Sequence, residues 1–485
     1  MKLIRISEPR FSTPLLTIIP PYAISGYFDI QDLVLLRQTH PSYSQKFCHI
    51  SSPIINLSIY NCFNYRHILF QFPKAKLKVI FFGDPSSKLT LLSNITSLDL
   101  NYCIDYVPDF TKMPNLTSLH LDKSLYLKSD ILSNMTQLLE LSLGLTHKIK
   151  GSSLQKLTNL QTLILNDENT ITDFDILTLP LRSLSLLRNT ALTPFILTHL
   201  PLTYLNINYS LPTLTTELIN CTTLTELDFR VSYHRTKDLS TISKLTWLRK
   251  LTIEAPTQIF FNWPRDLINL TYLETRYLNN ILDISTSTSL QTLIIFGKSE
   301  TIFPTVPLPN LSKLEINADL NVNHLKNLTH LQIKIIRLPS NRLLPELKNL
   351  KNLIIDDYYT NCSIDNYKKY CRCTEGIDIS LLTSLTSLEI SYCDIRLCYP
   401  IGGLISNSLE SLTIVTLNPN IDDRSLNAIP NLKYLCLGNS SPREVTGSCF
   451  KNLHHLLSLT ISEHNTLSSD SLDSLTKRGI KVKKY

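Results

Sequence analysis

The sequence predicts an α/β solenoid: a stack of short parallel strands, one per repeat, joined by short helical or 3-10 turns. Three observations predict it. A six-residue phrase, apolar at its first, fourth and sixth positions, recurs along most of the chain; it reads Ile-Thr-Ser-Leu-Asp-Leu at 95–100 and Leu-Thr-Ser-Leu-His-Leu at 116–121. The copies fall about 21–24 residues apart and make about twenty turns. The heart of each phrase alternates apolar and polar residues, the period of a strand with one buried face.

The strand element runs through the chain. Further copies begin at Leu138, Leu160, Leu181, Leu202, Leu224, Leu248, Leu270, Leu290, Leu311, Leu328, Leu350, Leu385, Leu409, Leu432 and Leu456. Weaker copies precede them at Ile54-Leu57-Ile59 and Leu77-Ile80-Phe82, and a final fragment ends at Ile480 and Val482. One such strand cannot stand alone. Stacked on its neighbours it pairs its backbone groups and buries its leucines, each worth roughly 1.5–3 kcal/mol over an exposed one. Ordering a turn costs a similar amount of chain entropy, so stability comes from many turns together and the ends need caps. The phrase resembles the strand motif of the leucine-rich repeat family. That resemblance implies a horseshoe with a parallel sheet on its concave side and short turns on its convex side.

The convex element is read from segments such as Phe174–Leu179, Phe195–Leu200 and Ser425–Ile429, which look like single helical or 3-10 turns. Several segments between strands carry a Pro, at Pro114, Pro180, Pro201 and Pro430. The intervals Leu77 to Ile95 and Leu311 to Leu328 are short. The interval Leu350 to Leu385 is long, and it holds an insertion loop over about 356–380 with Tyr358, Tyr359, Tyr367, Tyr370, Cys362, Cys371 and Cys373. An inserted loop on a rigid array is often functional. The cysteine spacing fits no common zinc site, and no metal is expected. A basic C-terminal cap is expected over about 466–485.

Composition narrows the function. The chain has 485 residues, 43% of them hydrophobic, with a net charge of +7. With 11 glycines, Gly-rich phosphate loops are not expected, nor is a cofactor. No basic stripe with interleaved stacking aromatics is present, which argues against nucleic acid. No apolar run reaches membrane-span length, and Glu8, Pro9, Pro14, Pro20 and Pro21 interrupt any signal-peptide core. The expected location is intracellular and cytoplasmic. Sequons such as Asn94-Ile95-Thr96, Asn115-Leu116-Thr117 and Asn269-Leu270-Thr271 then read as by-products of a repeat written N-L-T. The 11 cysteines show no disulfide framework; Cys62, Cys103 and Cys393 each follow a phrase by three residues and read as buried thiols.

Residues 1–50 lack the repeat. The stretch 16–47 resembles the F-box, the helical motif that docks a protein onto the linker subunit of a cullin-type ubiquitin ligase. The resemblance rests on Ile24, Tyr27, Phe28, Asp32, Leu33, Leu36, Arg37, Thr39 and Phe47, and it implies that Ile24, Tyr27, Phe28, Leu33 and Leu36 contact the linker. Asp32–Gln38 reads as an amphipathic helix with Asp29 as its cap. Thr17 stands where the family usually has Pro, and Pro20 and Pro21 shorten the first helix, since an interior Pro costs about 3 kcal/mol. The alternative is a helical cap that only shields the first repeat, leaving a non-ligase binding scaffold. An F-box followed by a long array, 1–50 and then 51–485, resembles the leucine-rich-repeat F-box proteins. The Ile-, Asn- and Lys-rich wording is similar to versions from amoebae or the large DNA viruses that infect them, which would place the protein in a host cytoplasm.

The candidate partner surface comes from the outward positions of the middle phrases. They hold Tyr204, Asp228, Arg230, Lys250, Tyr272, Glu274, Arg276, Phe296 and Glu315, while earlier phrases hold Ser97, Ser118, Ser142 and Ser183. Tyr and Arg are frequent interface anchors. The reading is therefore a protein-protein interaction module for an unidentified target protein on its concave face. Nothing assembles a nucleophile, a base and charge-stabilising groups, so no catalysis is expected.

Overall fold

The structure is a computed structural model that describes residues 54–59, 76–82, 92–102, 107–122, 127–144, 149–166, 170–189, 191–208, 216–230, 242, 244–254, 267–276, 286–296, 308–316, 325–334, 347–356, 381–391, 406–415, 422–438, 445–462 and 467–484. The F-box-like segment with Ile24, Tyr27, Phe28, Leu33 and Leu36 lies outside the described residues. So do 357–380 of the insertion and Cys62, Cys103 and Cys393.

The chain divides into two compact units, Met1–Leu211 and Pro212–Tyr485. Among the described residues the first unit carries eight strands: β1 (Ile54–Ile59), β2 (Lys76–Phe82), β3 (Ile95–Tyr102), β4 (Ser118–Leu121), β5 (Glu140–Leu143), β6 (Thr162–Asn166), β7 (Ser183–Leu187) and β8 (Tyr204–Asn208). Each pairs with the next in chain order, always parallel. The second unit carries β9 (Glu226–Arg230), β10 (Lys250–Glu254), β11 (Tyr272–Arg276), β12 (Thr292–Phe296), β13 (Lys313–Ile316), β14 (His330–Lys334), β15 (Asn352–Asp356), β16 (Ser387–Ser391), β17 (Ser411–Val415), β18 (Tyr434–Leu437), β19 (Ser458–Ile461) and β20 (Lys481–Lys484). These too pair in order and in parallel.

Register follows the leucines. Leu163 pairs with Leu184 and Leu184 with Leu205, and all three are fully buried. The long interval before β16 and the short one before β14 leave the register intact, Asn352 facing Ser387 and Lys313 facing His330. The short interval before β3 does not, since the β2–β3 pairing slips at Leu77/Lys78 and again at Ile80/Phe82. One sequence reading is corrected here. Ile80 is 38% exposed, while Val79 is buried and stands opposite Leu98. A shift of one residue sends a side chain to the other face of a strand. The run Val79-Ile80-Phe81-Phe82 is apolar throughout and offers no alternation to mark the inward face.

Between strands lie one-turn helices, α1 (Ser129–Leu132), α2 (Asp173–Ile176) and α3 (Asp423–Asn427), and 3-10 turns such as Pro194–Thr198. Local chemistry starts them. The Asp175 carboxylate accepts from the Thr172 N–H and hydroxyl, and Asp422 accepts from the Ser425 N–H at 2.7 Å. Asp423 ties α3 to the following repeat. It accepts from the Thr446 N–H and hydroxyl, the Ser448 hydroxyl and the N–H groups of Gly447 and Cys449. Partial burial raises its pKa, but these hydrogen bonds outweigh that and bring it down to about 2. Gly447 meets this carboxylate at φ 94, a left-handed conformation that favours glycine. The longest described helix, α4 (Ser469–Lys477), packs beside β20.

Candidate functional site

On the outward face of the second unit the side chains fall into rows, because parallel in-register pairing places equivalent positions side by side. The first row runs Glu226, Lys250, Tyr272, Thr292, Lys313; the second runs Asp228, Thr252, Glu274, Ile294, Glu315; the third runs Arg230, Glu254, Arg276, Phe296. Eight of the sequence-predicted partner residues therefore share the face of β9–β13. Tyr204 stands on β8 of the first unit, half-buried.

The centre of this face is one strand. On β11, Tyr272, Glu274 and Arg276 project from the same side two residues apart. The Tyr272 hydroxyl donates to Glu274 Oε2 at 2.8 Å. Arg276 donates to Glu274 Oε1 through Nε at 2.8 Å and pairs with it through Nη2 at 2.7 Å. Aromatic contacts extend the cluster sideways: Lys250 Nζ lies 5.3 Å from the Tyr272 ring centre, and Arg276 Cζ lies 5.1 Å from that of Phe296. Burial first, and then Glu274, push the Tyr272 pKa far up, so the phenol stays a donor. On β9, Arg230 lies 3.7 Å from Asp228 and 3.6 Å from Glu254, ion pairs too long to be hydrogen bonds. Asp228 has a raised pKa. Burial is the main cause, Arg230 opposes it, and Glu274 and Glu254 add to it.

The first unit holds a polar cluster that the sequence reading passed over. Ser118 Oγ donates to Glu140 Oε2 at 3.0 Å and lies 3.2 Å from His120 Nε2, which is 3.5 Å from Glu140 Oε1. Ser97 Oγ donates to Ser118 Oγ at 3.3 Å. The signal was available: His120 sits between the two inward leucines of its phrase, as Asp99 does one repeat earlier, and parallel pairing places such positions together. The residue types are those of a hydrolase relay, but the geometry is not. A relay places the hydroxyl on one ring nitrogen and the acid on the other, whereas here both face Nε2. Ser142, read as an outward serine, is 1% exposed; its hydroxyl donates to Asp122 Oδ1, which covers it.

Among the described residues no group of three or more His, Cys, Asp or Glu is placed to hold a metal ion. Among them also, no helix is long and apolar enough to cross a membrane. The Cys221 thiol donates to Glu217 O at 3.7 Å, and burial pushes its pKa up to about 11.

No family model matches the chain, and no curated protein matches it. Solved structures do match. An internalin from Listeria monocytogenes is 20% identical over 76% of this chain and 87% of its own, with a TM-score of 0.33. The mouse RP105/MD-1 complex is 14% identical over 92% and 80%, with a TM-score of 0.48. The LRR ectodomain of the receptor kinase GASSHO1/SCHENGEN3 from Arabidopsis thaliana is 13% identical over 90% and 69%, with a TM-score of 0.30. The recurring leucine phrase on parallel, in-register strands makes the fold a leucine-rich repeat solenoid. At these identities and TM-scores the likeness extends no partner to this chain, and function rests on the site itself.

Proposed function

We propose that this solenoid is a protein-binding module whose target docks on the outward face of β9–β13. We propose further that residues 1–50 couple it, as an F-box would, to the linker subunit of a cullin-type ubiquitin ligase in the cytoplasm. The observation that carries the docking face is the Tyr272–Glu274–Arg276 cluster flanked by Lys250 and Phe296. Aromatic and Arg side chains anchor interfaces. Here Glu274 holds them in place before binding, which lowers the entropy lost on association. The module would act by proximity, holding its target beside a separate catalytic enzyme.

Two measurements test this. A photo-reactive amino acid at Thr292 should cross-link a partner protein in cells, while the same group at Arg424, exposed on α3, should not; equal labelling from both positions refutes the docking face. Capture of the ligase linker by the wild-type chain, lost in Leu33→Asp and Leu36→Asp, is expected for the adaptor. If the wild-type chain retains no linker, the adaptor reading fails and a scaffold without a ligase remains.

A further inference from the structure

We infer that the partner meets β9–β11 with a carboxylate-rich protein segment. This rests on the docking face proposed above and names the chemistry that face selects. The charges there are layered. The carboxylates of Glu274, Asp228 and Glu254 lie low, at 14%, 19% and 19% exposure, while Arg230, Arg276 and Lys250 rise above them at 36%, 39% and 46%. Glu226, the remaining carboxylate of these strands' outward rows, is exposed but lies 3.4 Å from Lys250 Nζ. Glu274 is occupied from within, one oxygen by the Tyr272 hydroxyl and the other by Arg276.

An approaching chain therefore meets the three cations first, together with Glu226, which Lys250 already pairs. The half-buried acids beneath act as struts to the guanidiniums. Arg230 and Arg276 occupy the same row two strands apart, about 9–10 Å at the backbone. Arg276, held by Glu274, and Arg230, paired with Asp228 and Glu254, suit recognition of carboxylates, which a planar guanidinium bonds in a defined geometry. A basic segment would have to pass these cations before reaching Asp228, Glu254 or Glu274, at a cost in like-charge repulsion.

The test uses the full chain and poly-L-glutamate as the probe, with poly-L-lysine beside it, titrated at low and at physiological salt. Poly-L-glutamate should bind, more weakly as salt rises. Arg230→Glu/Arg276→Glu should weaken it by at least about tenfold, and Arg230→Gln/Arg276→Gln by less. Arg424→Glu should change it within about twofold. Thermal melts of each variant separate lost binding from lost folding. Poly-L-glutamate should also compete with the cross-link formed from Thr292. Undiminished binding to the double Glu variant overturns the inference, as does binding lost only when Lys481, Lys483 and Lys484 are reversed. If the Thr292 cross-link persists but only poly-L-lysine competes, the docking face stands and the acidic partner falls. If poly-L-glutamate binds through Arg230 and Arg276 but no cross-link forms at Thr292, the docking face falls instead.

Discussion

The Glu140 carboxylate raises the His120 imidazole above its ordinary pKa of 6.5, against the opposing effect of burial, and Asp99 and Asp122 add to the rise. His120 in turn, joined by the Ser118 hydroxyl and Lys78, lowers Glu140 below its ordinary 4.5 against the effect of its own burial. The signs follow. A raised histidine contributes stability that is whole below 6.5 and is lost as pH climbs through its folded value. A lowered glutamate contributes stability that is whole above 4.5 and is lost as pH falls through its folded value. The pair therefore acts together from 4.5 to 6.5. His120→Gln should cost ~0.5–1 kcal/mol in that window, the modest size of a half-exposed pair, and progressively less above it. Melting temperatures of both proteins at mildly acidic and alkaline pH check this, and a constant gap between them refutes it. Asp228 runs the other way. Its folded pKa is raised above 3.8, so its ionised form costs stability. Asp228→Asn should raise the melting temperature at neutral pH, and the gain should vanish once acid has protonated Asp228 in both folded and unfolded chains. A fall at neutral pH would mean that its attraction to Arg230 outweighs its burial.

At the scale of the repeat, the N-L-T wording proves to be a pair of clips. Asn269 Nδ2 donates to Thr246 O at 2.9 Å, and Thr271 Oγ1 donates to Arg249 O at 3.0 Å, both in the preceding repeat. Asn115 and Thr117 do the same to Ser93 O and Thr96 O, and Asn327 and Thr329 to Pro309 O and Ser312 O. The Asn amides meet turn carbonyls, and the Thr hydroxyls add a donor to carbonyls that backbone N–H groups of the same repeat already bond. Asn269→Ala should cost about 1 kcal/mol. Leu273→Ala, at a fully buried position between the clips' strands, should cost about 2–5 kcal/mol through lost burial and a cavity. Urea unfolding of the two variants compares them, and an Asn269→Ala cost as large as that of Leu273→Ala would mean the clips, not the leucines, hold the stack. The contrast explains what could be read beforehand. Inward leucines announce themselves because burial repeats with the strand. The partners of Asn269, Ser118 or Lys250 do not, because they depend on which atoms a neighbouring repeat brings near, and the pattern within one phrase is silent on that. Ile80 failed for a third reason, a run of apolar residues that gave its register no mark.

A solenoid is bonded mainly between nearest neighbours, so damage at an end should stay near the end. Two features mark β20 and the helix before it. Lys481, Lys483 and Lys484 line β20, and charged lysines discourage further strand pairing. Arg478, just after α4, donates through Nη1 to Phe450 O and through Nη2 to Leu453 O at 2.8 Å, which fastens the helix to the preceding turn. Arg478→Ala removes both of these bonds and loosens α4, yet it removes no leucine from the stack. Faster amide exchange is therefore expected in α4, β19 and β20, fading over β18, with β9–β13 unchanged. Hydrogen exchange read by mass spectrometry resolves these segments. Uniform acceleration through the second unit would show that its repeats unfold as one block, and the picture of additive neighbours would not hold. An unchanged α4 would show that the packing of Leu475, 1% exposed, already holds the helix in place without the arginine.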